Sequence, residues 1–307
     1  MPDALVHIET EAQYSIAKTA LEKGHFDLAL RSCYRIIELK PQYHDAFWCL
    51  AEANHGLGNN SEALKWYQRY LNIYPDDPQA IHMVAALGTG FKPPRASNNY
   101  IKEIFDNFAE DYDQQLIDDL DYKAPELLHA LFCTVAKPEK AAYSILDVGC
   151  GTGLMGVKFR RVAHTLTGVD LSPEMLRVAT GKKVYDKLME AELSVFMHSH
   201  PSEFDLIIAA DVFCYIGDLA ETFQAIAGAL KLDGNFLLTV ETQRNRGFVL
   251  TDSGRYAHKP AYIRKVAKTN GLQEIVGKKD VIRTEYGKPV EGYLLMLRKS
   301  SDALVRQ

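Results

Sequence analysis

The stretch Ser144-Ile-Leu-Asp-Val-Gly-Cys-Gly-Thr-Gly-Leu-Met-Gly156 decides how this 307-residue chain folds. Ile145, Leu146 and Val148 read as a buried parallel strand, and the glycines that follow call for a tight turn where backbone approaches something closely. The spacing Gly151-x-Gly153-x-x-Gly156 follows a strand and opens a helix. Asp170 ends the next strand, Leu166 to Val169, where it can take ribose hydroxyls. By itself this pattern leaves a dinucleotide site open, with a small ligand against the turn.

Asp147 separates the alternatives. A pyrophosphate on the helix N-terminus would meet the field of this carboxylate, whereas a ligand with a cationic end would be drawn to it. Leu146-Asp-Val-Gly-Cys-Gly-Thr-Gly153, followed by Gly168-Val-Asp-Leu-Ser-Pro-Glu-Met-Leu176, closely resembles the first two motifs of the class I S-adenosylmethionine-dependent methyltransferases. The resemblance implies S-adenosylmethionine as cofactor, held by Asp147, Gly149, Cys150, Gly151 and Gly153 on the turn and by Asp170, Leu171 and Met175 beyond the second strand. It further places Glu192 and Leu193, in Glu190-Ala-Glu-Leu193, where the family accepts the adenine amine. Phe105-Asp-Asn-Phe-Ala-Glu-Asp-Tyr-Asp113 resembles the helical lid that precedes this core, so Tyr112, and after it Tyr122, is expected over the cofactor. A core aromatic on an amphipathic helix is the competing reading of both.

From Ser144 onward strands and helices alternate, as in an α/β parallel sheet covered on both faces. The expected strands are Ile145 to Val148, Leu166 to Val169, Val184 to Leu188, Leu206 to Ala209, Asn235 to Val240, Gln273 to Arg283 and Val290 to Arg298. The last two flank Glu-Tyr-Gly-Lys-Pro, a turn signal, and a seventh strand returning antiparallel is the mark of a Rossmann-like methyltransferase sheet. Ser172 is an N-cap ahead of Pro173 and Glu174. A helix from Leu219 to Leu230 is expected to end with Gly234 turning left-handed.

The first ninety residues repeat. Gly24, Ala29 and Pro41 recur as Gly58, Ala63 and Pro75, and Ala17 as Ala51, each displaced by 34 residues, the period of tetratricopeptide (TPR) repeats. Phe26, Phe47, Trp48, Leu50, Tyr67 and Leu71 supply the large core positions. Pro78 to Leu87 begins a third unit, Ile81 and Ala85 answering Phe47 and Ala51, and then stops like a capping helix. The expected organisation is an all-α repeat domain over 1–90, a linker over 91–99 and a methyltransferase domain over 100–307 with its lid at 100–136. Taken together, the chain resembles bacterial methyltransferases that carry N-terminal TPR repeats. The repeats offer a face for a protein partner or for capture of a peptide, or else a self-association module.

Composition narrows the function classes. The chain carries a net charge of −5 and 47% hydrophobic residues, enough for real cores. Acidic overall, without an Asn-Pro-Pro-Tyr element or an aromatic-basic stripe, it does not read as a nucleic-acid enzyme. Five scattered cysteines without CxxC spacing suggest a reducing compartment and no metal site. No stretch is apolar enough to span a membrane, and a cytoplasmic location is expected.

Methyl transfer asks little of the protein beyond alignment, exclusion of water and, in some cases, removal of a proton. Asp211, just past the fourth strand, is a candidate base, with capping of the following turn as its ordinary alternative. His258, in a polar loop expected to be flexible, is a second. Cys150 and Cys214 lack an activating neighbour in sequence. Tyr215, Glu241 and Arg255 are candidate acceptor contacts. The loop Thr242 to Lys259 brings Arg244, Arg246, Arg255 and Lys259 to the acceptor side, which suits an acidic small molecule or peptide end. The same arginines can equally pair with the acids of residues 101 to 126. A scaffold that binds the cofactor without turnover is the alternative to an enzyme.

Overall fold

The computed structural model describes residues 2–110, 112–118, 120–136, 139–245, 247–285 and 288–300. Arg246 and the Tyr286-Gly287 centre of the expected hairpin turn lie outside them. By its contacts the chain divides into a unit reaching to Lys92, together with Thr251–Gly254, and a unit formed by Pro93–Leu250 and the residues from Arg255 on.

The first unit is a row of antiparallel helices: α1 (Pro2–Glu22), α2 (Phe26–Leu39), α3 (Asp45–Gly56), α4 (Asn60–Leu71) and α5 (Pro78–Leu87). Gly24 and Gly58 hold φ values of 70° and 77° in the turns α1–α2 and α3–α4, where a side chain would be strained. Ala17, Ala29, Ala51 and Ala63 are fully buried, so neighbouring helices pack at short range around Leu50 and Tyr67. Asp77 caps α5 by accepting from the Ala80 amide. Ile81, the counterpart of buried Phe47, is 48% exposed because the series of repeats stops there.

The second unit opens with the helices α6 (Asn98–Phe108), α7 (Tyr112–Asp118) and α8 (Ala124–Val135). There follow β1 (Tyr143–Val148), α9 (Leu154–Phe159), β2 (Ala163–Asp170), α10 (Pro173–Lys182), β3 (Lys187–Glu190), α11 (Leu193–His198), β4 (Phe204–Ala209), a 3-10 turn (Phe213–Tyr215), α12 (Ala220–Ala229) and β5 (Leu230–Glu241). A short hairpin, β6 (Phe248–Leu250) and β7 (Tyr256–His258), precedes α13 (Pro260–Thr269), β8 (Leu272–Glu285) and β9 (Lys288–Lys299). Seven strands form one sheet in the order β3-β2-β1-β4-β5-β9-β8. The first five are parallel, and β9 returns antiparallel between β5 and β8.

Alternation along the buried strands sends side chains to two cores. Leu146, Ile207 and Leu238 meet α11, α12 and α13 on one face, while Ile145, Ile208 and Leu237 meet α8 and α9 on the other. Strand order reverses between β2-β1 and β4, so loops leaving the carboxyl ends of β1 and β4 diverge and open a crevice there.

Several expectations need correction. The third strand starts at Lys187 rather than Val184, because Tyr185 turns into the glycine loop. The left-handed residue after α12 is Asp233 (φ 61°), not Gly234. Gly234 is needed for space, since a Cβ there would stand 2.9 Å from the Lys231 carbonyl oxygen. The loop 242–259 is not a free loop: it contains β6 and β7, and His258 is completely buried. Pro93 to Ala96, inside the expected linker, are fastened to the second unit. The Ala96 amide donates to Tyr215 O, and the amides of Gly217 and Asp218 donate to Pro94 O.

Candidate active site

The glycine turn is shaped from both sides. Cβ atoms at Gly153, Gly156 and Gly168 would stand 2.9, 2.4 and 2.9 Å from atoms of the Tyr185 ring, which fills the slot these three glycines leave. The Tyr185 hydroxyl then donates to Asp147 Oδ2 at 2.6 Å. Asp147 is 1% exposed, and burial pushes its carboxyl up to about 7 although the tyrosine bond pulls it down. This carboxylate faces the tyrosine behind the turn and does not line the cavity in front. Gly151 differs from its neighbours: at φ 52° it has open space where a Cβ would be.

That space belongs to a cavity of about 740 Å³, counting its open mouth. Gly149, Gly151, Val169, Asp170, Leu171, Met175, Ala191 and Leu193 line one end; Phe105, Tyr112, Tyr122, Asp211, Val212 and Tyr215 line the other. Asp170 Oδ2 accepts from the Gly151 amide at 2.8 Å and Oδ1 from the Ser172 amide at 2.9 Å. Burial raises its carboxyl while those amides lower it. The two bonds fix the plane of the carboxylate at the cavity wall. Cys150 is buried beside the turn without lining the cavity, and burial pushes its thiol far up, away from nucleophilic chemistry.

Glu192 is engaged at the end of β3: Oε2 accepts from the Val195 amide as the cap of α11, and Oε1 from Arg95 Nη1 at 3.0 Å. The cavity meets its neighbours Ala191 and Leu193 instead, together with Arg95. The lid helices α6 and α7 close the aromatic end. The Phe105 ring stands edge-on to both Tyr112 and Tyr215, with centroids 5.8 and 5.6 Å away. Lid acids bond to the cofactor side of the sheet. Asp106 accepts from the Ser172 hydroxyl at 2.5 Å, and Asp113 takes both the Thr152 hydroxyl and the Lys182 ammonium.

Beyond the carboxyl ends of β4 and β5 lies a group of ion pairs. Asp211 has a left-handed backbone (φ 54°), an uncommon state for a non-glycine residue. Its amide donates to Thr239 Oγ1 at 2.8 Å, and that hydroxyl donates back to Asp211 Oδ1 at 3.0 Å. Arg283 Nη1 donates to Asp211 Oδ2 at 2.9 Å, and its Nη2 to Glu241 Oε1. Arg255 Nη1 reaches the same Glu241 oxygen at 3.3 Å. Thus Arg255 pairs with Glu241 in the sheet, and neither residue lines the cavity. His258 is away from it as well: Nε2 bonds the Gly217 carbonyl at 3.0 Å, its ring stacks on Tyr262, and burial lowers its pKa to about 4.

The cavity therefore gathers Tyr112, Tyr122, Gly149, Gly151, Asp170, Leu171, Met175, Leu193, Asp211 and Tyr215 from the sequence-derived candidates. Asp147, Cys150, Gly153, Glu192, Glu241, Arg255 and His258 stand outside its lining. Sequence reasoning missed Arg95, Phe105, Tyr185 and Arg283. For Tyr185 a signal existed: three glycines facing one slot require a flat ring to fill it. For Arg283 there was none, as a charged residue in a strand reads as solvent-facing. Among the described residues no group of three His, Cys, Asp or Glu is placed to hold a metal ion, and no helix is long and apolar enough to cross a membrane.

These residues fit S-adenosylmethionine on the structure's own terms. Gly151 leaves room that a side chain would fill, a pinned carboxylate beside it suits a ribose diol, and the adjoining walls are apolar. A methyltransferase-domain family model matches residues 112–271, and a tetratricopeptide-repeat model matches residues 20–87. The chain is 29% identical over 154 residues to the ubiquinone biosynthesis O-methyltransferase of Thiobacillus denitrificans, a match covering 43% of this chain and 66%, less than two thirds, of that protein. Solved structures that share the fold include two methyltransferases. Magnesium protoporphyrin IX methyltransferase of Synechocystis, with bound S-adenosylmethionine, gives a TM-score of 0.52 at 17% identity over 66% of this chain and 97% of that one. The 1,6-didemethyltoxoflavin-N1-methyltransferase of Burkholderia thailandensis gives 0.53 at 15% identity over 70% and 93%. With that family model matching more than half of its residues and the last strand of the chain inserted antiparallel beside β5, this chain belongs to the class I S-adenosylmethionine-dependent methyltransferases and carries a tetratricopeptide-repeat region ahead of that domain.

Proposed function

We propose that this protein transfers the methyl group of S-adenosylmethionine to a hydroxyl or amine of a small, flat, uncharged acceptor. The observation that carries the reading is the continuity of one cavity from Gly151 and Asp170 to Phe105, Tyr112, Tyr122, Tyr215 and Asp211. Bound there, S-adenosylmethionine supplies an electrophilic methyl group. Asp170 and the turn around Gly151 orient the cofactor end. The aromatic rings exclude water and hold a flat acceptor by stacking. Asp211 would accept a hydrogen bond from the acceptor's O–H or N–H, turning the heteroatom's lone pair toward the methyl, stabilising the positive charge that grows there and taking the proton that methylation releases on its way to solvent.

An acidic acceptor, which the basic loop suggested, would draw on Arg255, and that guanidinium is engaged with Glu241. The relative named for ubiquinone biosynthesis is an O-methyltransferase, which agrees with methylation on oxygen. The tetratricopeptide repeats serve protein interaction, with a partner or a second copy. Purified protein incubated with labelled methyl donor and each fraction of a small-molecule extract that has first been split by ion exchange tests the proposal. Label is expected in the neutral fraction; label confined to the acidic fraction overturns the acceptor class. Cofactor binding by calorimetry without labelled product from any fraction favours the cofactor-sensing scaffold.

A further inference from the structure

Arg283 is 2% exposed, in a strand segment whose neighbour Ile282 belongs to the apolar core. Strand β8 is the sheet's outer edge, three places from β4 in strand order, yet the guanidinium reaches the carboxylate that follows β4. The path is visible in the backbone. The pairing of β8 with β9 shifts register between Val281 and Arg283. Past that irregularity the strand runs beside residues 120–123, with the Lys123 amide donating to Ile282 O at 2.8 Å and the Thr284 amide to Leu120 O at 2.6 Å. The edge strand thus folds over toward the lid and delivers a buried cation to the carboxyl ends of β4 and β5. Burying a guanidinium is costly unless it is paired and hydrogen-bonded. A planar fork can bridge two carboxylates, which a single ammonium does less well.

We propose that Arg283 is a positioning residue for methyl transfer: it fixes Asp211 and Glu241 as anions in one geometry, so that Asp211 meets the acceptor as a hydrogen-bond-accepting carboxylate. The proposal rests on the reading that Asp211 faces the acceptor. Among the described residues, the ionisable groups around Asp211 include Arg283 and Glu241 on the sheet, Arg255 ahead of β7, Tyr112 and Tyr122 from the lid side, and Cys214 in the 3-10 turn. Removing the bridge leaves Asp211 beside Glu241 with like charge and little solvent, so its proton affinity should rise.

Carbon-13 NMR of the full chain labelled at aspartate Cγ tests this without any acceptor. The Asp211 signal is identified by its loss in Asp211→Asn. In the unaltered protein it should stay ionised down to about pH 5; in Arg283→Met its midpoint should rise by about 1–3 pH units; and Arg283→Lys should restore most of the difference. A midpoint well above about pH 5 in the unaltered protein overturns the proposal whether or not the methionine variant folds. So does an unchanged midpoint in a folded Arg283→Met. Once an acceptor is in hand, Arg283→Lys should lower its kcat/KM roughly 10-fold or more with cofactor affinity intact, and a loss of cofactor affinity alone is the contrary result. Because the titration needs no turnover, it can fail while methyl transfer succeeds, and the reverse.

Discussion

Asp170 and Asp147 are both buried carboxylates next to the glycine turn, and their hydrogen bonds give them different work. Asp170 is held by two backbone amides at the cavity wall, so Asp170→Ala should weaken S-adenosylmethionine by about 1–3 kcal/mol, read by calorimetry, with the fold intact. Asp147 is held by Tyr185 behind the turn, and its folded pKa, about 7, lies above the ordinary carboxylate value. Between pH ~4 and ~7 the folded state therefore binds a proton that the unfolded chain has released, and the ligand-free protein loses stability as pH rises through this window. Asp147→Asn removes the titration. Its Tm should draw level with or exceed that of the unaltered protein increasingly from pH ~4 to ~7 and change little in relative terms above that, a trend on the order of 4 kcal/mol at most. A difference in Tm that is constant with pH would show that Asp147 does not titrate in the fold. Motif spacing made Gly151 and Asp170 legible in the sequence because they act within a local strand-turn-helix unit. Tyr185 left only an indirect sign, the glycines its ring fits against, and Arg283 left none, since each finds its partner dozens of residues away through the packing of the sheet.

At the level of elements, the lid and the small hairpin behave differently from what their composition suggests. Among the described residues, Asp106 of α6 and Asp113 of α7 bond to Ser172, Thr152 and Lys182. Asp113→Ala should free α7, increasing amide exchange over residues 112–118 and speeding cofactor dissociation roughly 5- to 30-fold in stopped-flow measurements, in line with about 1–2 kcal/mol for partly buried charge-assisted bonds. The hairpin β6–β7 gave no strand signal, because its strands are three residues each and its partners are tertiary. Within it, His258 is neutral when folded, with a pKa of about 4 against 6.5 in the unfolded chain. Its contribution is complete above pH ~6.5 and is lost as pH falls toward ~4, by up to ~3 kcal/mol. His258→Gln should accordingly flatten the fall of Tm in that range while leaving turnover at pH 8 within about twofold, as the ring does not line the cavity. A tenfold loss of turnover with unchanged cofactor affinity would return His258 to the chemistry.

Across the whole molecule, the parallel order and the antiparallel return were readable from alternating segments and turn residues, whereas the bend of β8 over the lid was not, because no local residue pattern encodes it. In the second unit β1, β4 and β5 are buried on both faces and β3 is a short, half-exposed edge. Hydrogen exchange should rank them accordingly, with β1, β4 and β5 slowest and β3 faster by 10-fold or more. The bridge made by Arg283 has a further consequence, in the order of synthesis. Asp211 precedes it by 72 residues and Glu241 by 42. At about 5–20 residues per second, a nascent chain carries both carboxylates, and the whole cofactor-facing half of the crevice, for about 2–8 s before their shared cation is made. The walls around Gly151 and Asp170 are therefore complete in the growing chain before Arg283 is made, and the bridge over Asp211 and Glu241 forms only when the closing hairpin arrives.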